Sequence, residues 1–164
     1  TLNENYDFLI FTKDWHPSNH KSFASQHSGK NVFDKIDLYG IEQILWPDHC
    51  IQNTFGSEFH PDLNTEISNK FVFTKGMNEN IDSYSAFFDN KRDSSTGLHE
   101  FLFEKNVKSI DIVGLALDYC VKFTALDAAG LGYDVNIILD GCKAISLDIT
   151  THLDEMRRHN IRII

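Results

Sequence analysis

Asp14 and His16 stand two residues apart just past an apolar run. In extended chain, residues i and i+2 point the same way. A carboxylate and an imidazole so placed suit Zn²⁺, Fe²⁺ or Mn²⁺. His20 follows four residues later and joins them if the loop curls back. His49 sits in the dense piece Trp46-Pro47-Asp48-His49-Cys50 and is either a further ligand or a polar loop histidine. Five of the eight histidines fall between His16 and His60, which concentrates the metal reading in this half of the chain. Trp46 reads as a flat wall that stacks on a planar ligand or, equally, as a core residue.

A second group surrounds Cys120. A β-branched apolar run at 109–113 gives way to Val121, Ala125, Ala128 and Ala129 at helical spacing, and the break falls at 116–118. A strand running into a helix is expected there, with Asp118 as N-cap and Cys120 near the second helical position. The first N–H groups of a helix have no intrahelical partner and carry the positive end of its dipole. A thiolate at that place is stabilised, and the free amides beside it can receive an oxyanion. The alternative is a small buried core residue. Lys75 follows the strand expected at 70–74; it can polarise a carbonyl, stabilise a thiolate or bind an anion, or it is a solvated lysine. Residues 82–88 read as a lid or pocket wall, with Tyr84 among their aromatics. Cys50 and Cys142 read as packing residues.

Strands at 6–13, 70–74, 109–113, 133–139 and 161–164 are needed to position these groups. The first is expected to be buried on both faces, and 140–143 are expected to form a turn. Helices are expected at 97–106, after Cys120, and after Ser146 as a cap, with Ile149, Leu153 and Met156 inward. Residues 18–69 show little periodicity, yet their apolar content argues for order. Strands alternating with helices predict an α/β fold with a parallel sheet, whose functional groups gather past the carboxyl ends of strands.

With 164 residues, one domain is expected, 1–164. A net charge of −9 gives no support to nucleic-acid or anionic-membrane binding, which need basic patches. Three widely spaced cysteines are not a disulfide framework and predict a reducing compartment, the cytoplasm. No apolar run has transmembrane length, and no signal peptide or initiator methionine is visible.

Taken in order, these pieces resemble the nicotinamidase/pyrazinamidase enzymes of the isochorismatase-like cysteine hydrolase superfamily. The matching runs are Thr12-Lys13-Asp14-Trp15-His16-Pro17 through His20; Trp46-Pro47-Asp48-His49-Cys50 through His60-Pro61; Phe73-Thr74-Lys75-Gly76; Asp82-Ser83-Tyr84-Ser85-Ala86-Phe87; and residues 113–128. The last run carries the superfamily's Gly-x-Ala-x-Asp-x-Cys pattern. Asp-Trp-His with Trp-Pro-x-His-Cys marks the metal-binding branch.

The resemblance implies a parallel sheet flanked by helices on both faces. It implies that Cys120 is the nucleophile and Lys75 the second triad member. Asp14, His16 and His49 hold one divalent metal (Zn, Fe or Mn), and His20 matches a position that ligates in some members only. The family has a cis bond matching Leu115–Ala116, which turns the Ala116 N–H beside that of Cys120. Trp46 and Tyr84 match pocket walls, and Tyr119 adjoins the nucleophile. The implied reaction converts nicotinamide, and also pyrazinamide, to the acid and ammonia through a thioester, in NAD salvage. The implied partner is this small molecule, with no nucleic acid or membrane, and homo-oligomerisation is left open.

The third triad member of the family is an aspartate closing an earlier strand, in an Asp-x-Gln-x-Asp-Phe run. No equivalent stands in this chain, so an N-terminal segment carrying that first strand is expected upstream of Thr1. Two other readings are another amide hydrolase of the superfamily, and a non-catalytic binding protein that keeps the fold.

Overall fold

The computed structural model describes residues 6–65, 67 and 70–164. The chain forms two compact units, Thr1–Ser83 and Tyr84–Ile164.

In the first unit, β1 (Leu9–Asp14) and β4 (Lys70–Lys75) pair in parallel, with Leu9 opposite Lys70 and Asp14 opposite Lys75. This register sets the last residues of both strands side by side at their carboxyl ends. β1 is half-buried rather than buried on both faces, with Lys13 and Asp14 following its apolar stretch. Between these strands, β2 (Lys35–Leu38) and β3 (Ile41–Ile44) form an antiparallel hairpin. The hairpin was not legible in the sequence because its strands are only four residues long. Its turn places both Tyr39 and Gly40 at positive φ, the conformation of the tightest hairpin turns.

In the second unit, β5 (Ser109–Leu115), β6 (Asp134–Lys143) and β7 (Arg162–Ile163) form a parallel sheet in that order. The helices are α1 (Leu98–Glu104), α2 (Lys122–Gly130) and α3 (Thr150–Arg158). α2 packs on β6 and α3, and its Ala125 and Ala128 are inaccessible to solvent, as Val121 just before it nearly is. α2 stops where Gly132 takes φ +93° and its N–H bonds back to the Ala129 carbonyl, a left-handed ending that a glycine allows. The architecture is α/β, with parallel sheets flanked by helices.

Two element boundaries differ from the sequence reading. Residues 140–143 continue β6 instead of turning, because β6 regains pairing with β5 after a bulge, Gly114 to Cys142 and Leu115 to Lys143. Ser146 does not cap the last helix, which begins at Thr150; its N–H is committed to Asp118 instead. Among the described residues no helix is long and apolar enough to cross a membrane.

Candidate active site and metal centre

In the first unit, backbone bonds bring distant sequence together. The His16 N–H donates to the Cys50 carbonyl at 3.0 Å, and the Gln52 N–H donates to the His16 carbonyl at 2.8 Å. One turn further on, the Trp46 N–H donates to the Ser22 carbonyl, and the Ala24 N–H to that of Trp46. Segment 46–52 is thereby laced onto 16–24, and His49 arrives beside His16 with ring centroids 5.0 Å apart. Phe23, 0% exposed, packs against the rings of His16, His20 and His49.

One donor atom each from Asp14, His16 and His49 lie within 4.8 Å of one another. His16, His20 and Asp82 form a second such group. Nδ1 of His16 lies 2.8 Å from the Gly76 carbonyl, and Nδ1 of His49 lies 2.8 Å from that of Pro47. A carbonyl only accepts, so both Nδ1 atoms carry the proton and both Nε2 atoms keep a lone pair. Fixing the ligating nitrogen through the other one is how metal-binding histidines are commonly oriented. One carboxylate and two imidazoles in this state fit a divalent cation of the zinc type.

The protonation states agree with that use. Burial pushes the Asp14 carboxyl up, but the Lys75 ammonium, helped by His16 and His49, overcomes this and holds it below the usual carboxylate value. Burial lowers His16 despite the opposing pull of Asp82 and Asp14, and it pushes His20 down to about 4. All three groups are therefore in metal-competent charge states at neutral pH.

Lys75 is 5% exposed. It forms an ion pair with its cross-strand neighbour Asp14, and its Nζ donates to the Ser83 carbonyl at 2.8 Å. It is not a solvated lysine. Trp46 is buried, edge-on to Phe33.

In the second unit, the Leu115–Ala116 peptide is cis. A π-helical turn, Leu117–Val121, follows and leads into α2. The Ala116 carbonyl accepts from both Tyr119 and Val121 at 3.1 Å. Cys120 is the fourth residue of this turn, not the second, and the flanking residue is Ala116. Asp118 is not the N-cap. Its buried carboxylate accepts the N–H groups of Ile145 at 3.0 Å and Ser146 at 2.8 Å, clamping the loop after β6 to the turn that carries Cys120. Burial raises its pKa, yet those two bonds outweigh burial and hold it below the usual value.

Tyr84 lies edge-on to Tyr119 at 5.5 Å and against Phe123 at 5.3 Å. Thr124 Oγ1 accepts the Ala86 N–H at 2.9 Å and so ties this aromatic segment to α2. Phe23, Asp82, Gly76 and the Pro47 carbonyl were missed as parts of the first-unit site. Only Gly76 carried a local signal, as a glycine directly after a strand.

The isochorismatase domain family model matches residues 11–164. The nicotinamidase of Escherichia coli is 49% identical over 139 residues, and that of Acinetobacter baylyi 46% over 143. These matches cover 85% and 87% of this chain but 64% and 66% of those proteins, so the chain spans less than two thirds of their length. A structure of the pyrazinamidase of Pyrococcus horikoshii in complex with zinc superposes with a TM-score of 0.78. It is 32% identical, over 99% of this chain and 78% of that one.

Proposed function

The chain belongs to the isochorismatase domain family and, within it, to the nicotinamidase/pyrazinamidase group, and from that premise we propose that it carries the nucleophile and metal residues of a metal-dependent cysteine amidohydrolase that converts nicotinamide to nicotinate and ammonia. The observation that carries the metal-dependent form of this reading is the Asp14–His16–His49 set, with both imidazoles fixed as Nε2 ligands. Pyrazinamide, which has the same ring-carboxamide geometry, is a second substrate. The reaction returns nicotinate to NAD salvage in the cytoplasm.

Cys120 is the nucleophile. Its proton goes to a carboxylate base, the third member of the family's catalytic set, and Lys75 is the cation of that set. The thiolate adds to the carboxamide carbon, and the Ala116 and Cys120 N–H groups hold the oxyanion. The C–N bond then breaks, and ammonia leaves with the proton the carboxylate had taken. Water attacks the thioester, the C–S bond breaks, and nicotinate and the free thiol are released. Asp14, His16 and His49 would hold a divalent ion, which would supply orientation of the bound ring. Trp46, Tyr84 and Tyr119 are the aromatic walls for the planar ring.

Ammonia release from nicotinamide, by protein carrying its natural N-terminus and loaded with zinc, tests the assignment. Cys120→Ala is expected to leave no measurable turnover while zinc stays bound. Turnover that survives this substitution would remove Cys120 from the mechanism.

A further inference from the structure

Tyr84 belongs to a stretch, residues 84–87, that is neither helix nor strand. No ladder fixes its backbone, so its amides must find other partners, and side chains supply them. The Tyr84 N–H donates to Asn90 Oδ1 at 2.9 Å, and the Ala86 N–H donates to Thr124 Oγ1 at 2.9 Å. The other side of Ala86 is held as well. Its carbonyl accepts from Thr96 Oγ1 at 2.6 Å, and the neighbouring Phe87 carbonyl accepts the Thr96 N–H at 3.0 Å. Ala86 is 2% exposed, so water is no substitute for these partners.

The anchors converge on α2. Thr124 and Asp127 stand three residues apart on it and so share one face. Asp127 forms an ion pair with Arg92, whose guanidinium lies over the Phe88 ring at 4.7 Å. Thr124 is also four residues beyond Cys120, on the helix that continues the Cys120 turn. The Tyr84 ring meets that helix at Phe123 and the turn itself at Tyr119. The place of this ring relative to the thiol is therefore set through two backbone amides, one on either side of Ser85.

We propose that Asn90 and Thr124 are positioning residues for the carboxamide reaction: they hold the Tyr84 ring where a planar substrate lying against it is aligned with Cys120. This rests on the amidohydrolase reading above, and both residues act through Tyr84 rather than by touching substrate. Attack needs reacting atoms about 3–3.5 Å apart, and a misplacement of about 1 Å can cost about 10²-fold in rate. An Ala86 amide deprived of Thr124 must turn toward another acceptor, and Tyr84, two residues away, moves with it.

Steady-state hydrolysis of nicotinamide, by zinc-loaded protein carrying its natural N-terminus, tests this. Thr124→Val keeps the shape and removes the acceptor, whereas Thr124→Ser keeps the acceptor. Thr124→Val is expected to raise KM and to lower kcat/KM by about 10–100-fold. Thr124→Ser is expected to stay within about twofold of wild type. The rise in KM is the decisive part, because a merely destabilised protein loses active molecules, which lowers apparent kcat and leaves KM alone. If Thr124→Val does not fold, Asn90→Ala, on the other arm of the clamp, carries the same expectation. In a Tyr84→Ala background either substitution should change kcat/KM by less than about twofold, since the ring it positions is gone. A KM within about twofold of wild type, or a loss that multiplies in full with that of Tyr84→Ala, overturns the positioning role and leaves the amidohydrolase standing. Nicotinamide left intact by the wild-type protein removes the amidohydrolase reading, and this inference with it.

Discussion

Gly76 sits directly after β4, at φ +66°, and its carbonyl is the acceptor that fixes His16. A Cβ built on Gly76 would stand 2.3 Å from His16 Cε1 and 2.6 Å from its Nδ1. The ring cannot swing away freely, because His16 is 1% exposed and wedged among Phe23, His20 and His49. Gly76→Ala therefore imposes two costs. An L side chain in the left-handed region costs about 1–2 kcal/mol, and overpacking against a buried ring costs about 1–3 kcal/mol more. Gly40 supplies the control, since it has φ +88° in the same unit and nothing within 4 Å of its added Cβ. Gly40→Ala carries only the backbone cost, so the difference between the two variants isolates the push on His16. Urea unfolding of the zinc-free proteins should place Gly76→Ala about 1–3 kcal/mol below Gly40→Ala. Calorimetric titration should show zinc affinity unchanged in Gly40→Ala and weakened about 10–100-fold in Gly76→Ala, the usual effect of disturbing a ligand's supporting partner. Equal zinc affinity in the two variants would refute the claim that the strand-end glycine positions the ligand.

Asp118→Ala leaves the N–H groups of Ile145 and Ser146 without their acceptor. At about 1–3 kcal/mol for each of the two unsatisfied groups, urea unfolding should register a loss of about 2–6 kcal/mol, and Asp118→Asn a smaller one; a loss below about 0.5 kcal/mol would show that the clamp is idle. Zinc-free protein should weaken as the pH falls from 6.5 toward 4. The folded-state pKa of His20, about 4, lies below its unfolded value of 6.5, so its contribution is complete above 6.5 and is lost as the ring is forced to charge. His16 shifts in the same direction. At pH 5 the His20 part alone is about 2 kcal/mol, and a flat unfolding midpoint between pH 7.5 and 5 would contradict it.

The candidate groups were legible where chemistry and local pattern coincide. Asp14, His16 and Lys75 announce themselves as polar residues at the ends of apolar strands, and Cys120 as the cysteine at a strand-to-helix break. What escaped is what depends on non-local backbone pairing. Nothing local to His49 says that its loop is laced to 16–24. The expected N-cap shows the same limit. Aspartate at a break favours capping, but the turn is π-wound around the Ala116 carbonyl, and two loop amides from residues 145 and 146 outcompete the helix's own amides for Asp118. Short strands fail for a different reason, since four residues on each side of a turn are too few to establish an alternation.

Asp14 joins the two chemistries of the first unit, because it is both a metal-ligand candidate and the ion-pair partner of Lys75. The parallel register places them opposite one another, and both are shielded from water, at side-chain exposures of 19% and 4%. Two buried opposite charges are not necessarily more stable than two apolar groups of the same size, but removing one strands the other. Asp14→Asn preserves shape and removes the charge, so it should cost about 3–5 kcal/mol, most of it from the uncompensated Lys75 ammonium. It should also abolish zinc binding at micromolar concentrations. Lys75→Met added to Asp14→Asn removes the stranded charge and should recover most of the lost stability without recovering zinc. The double-mutant cycle, measured by urea unfolding without metal, separates the ion pair from the ligand role. If Asp14→Asn unfolds at the wild-type midpoint, or if the double variant is the less stable of the two, the ammonium is not held by Asp14. The coupling between metal site and lysine would then have to run through other groups.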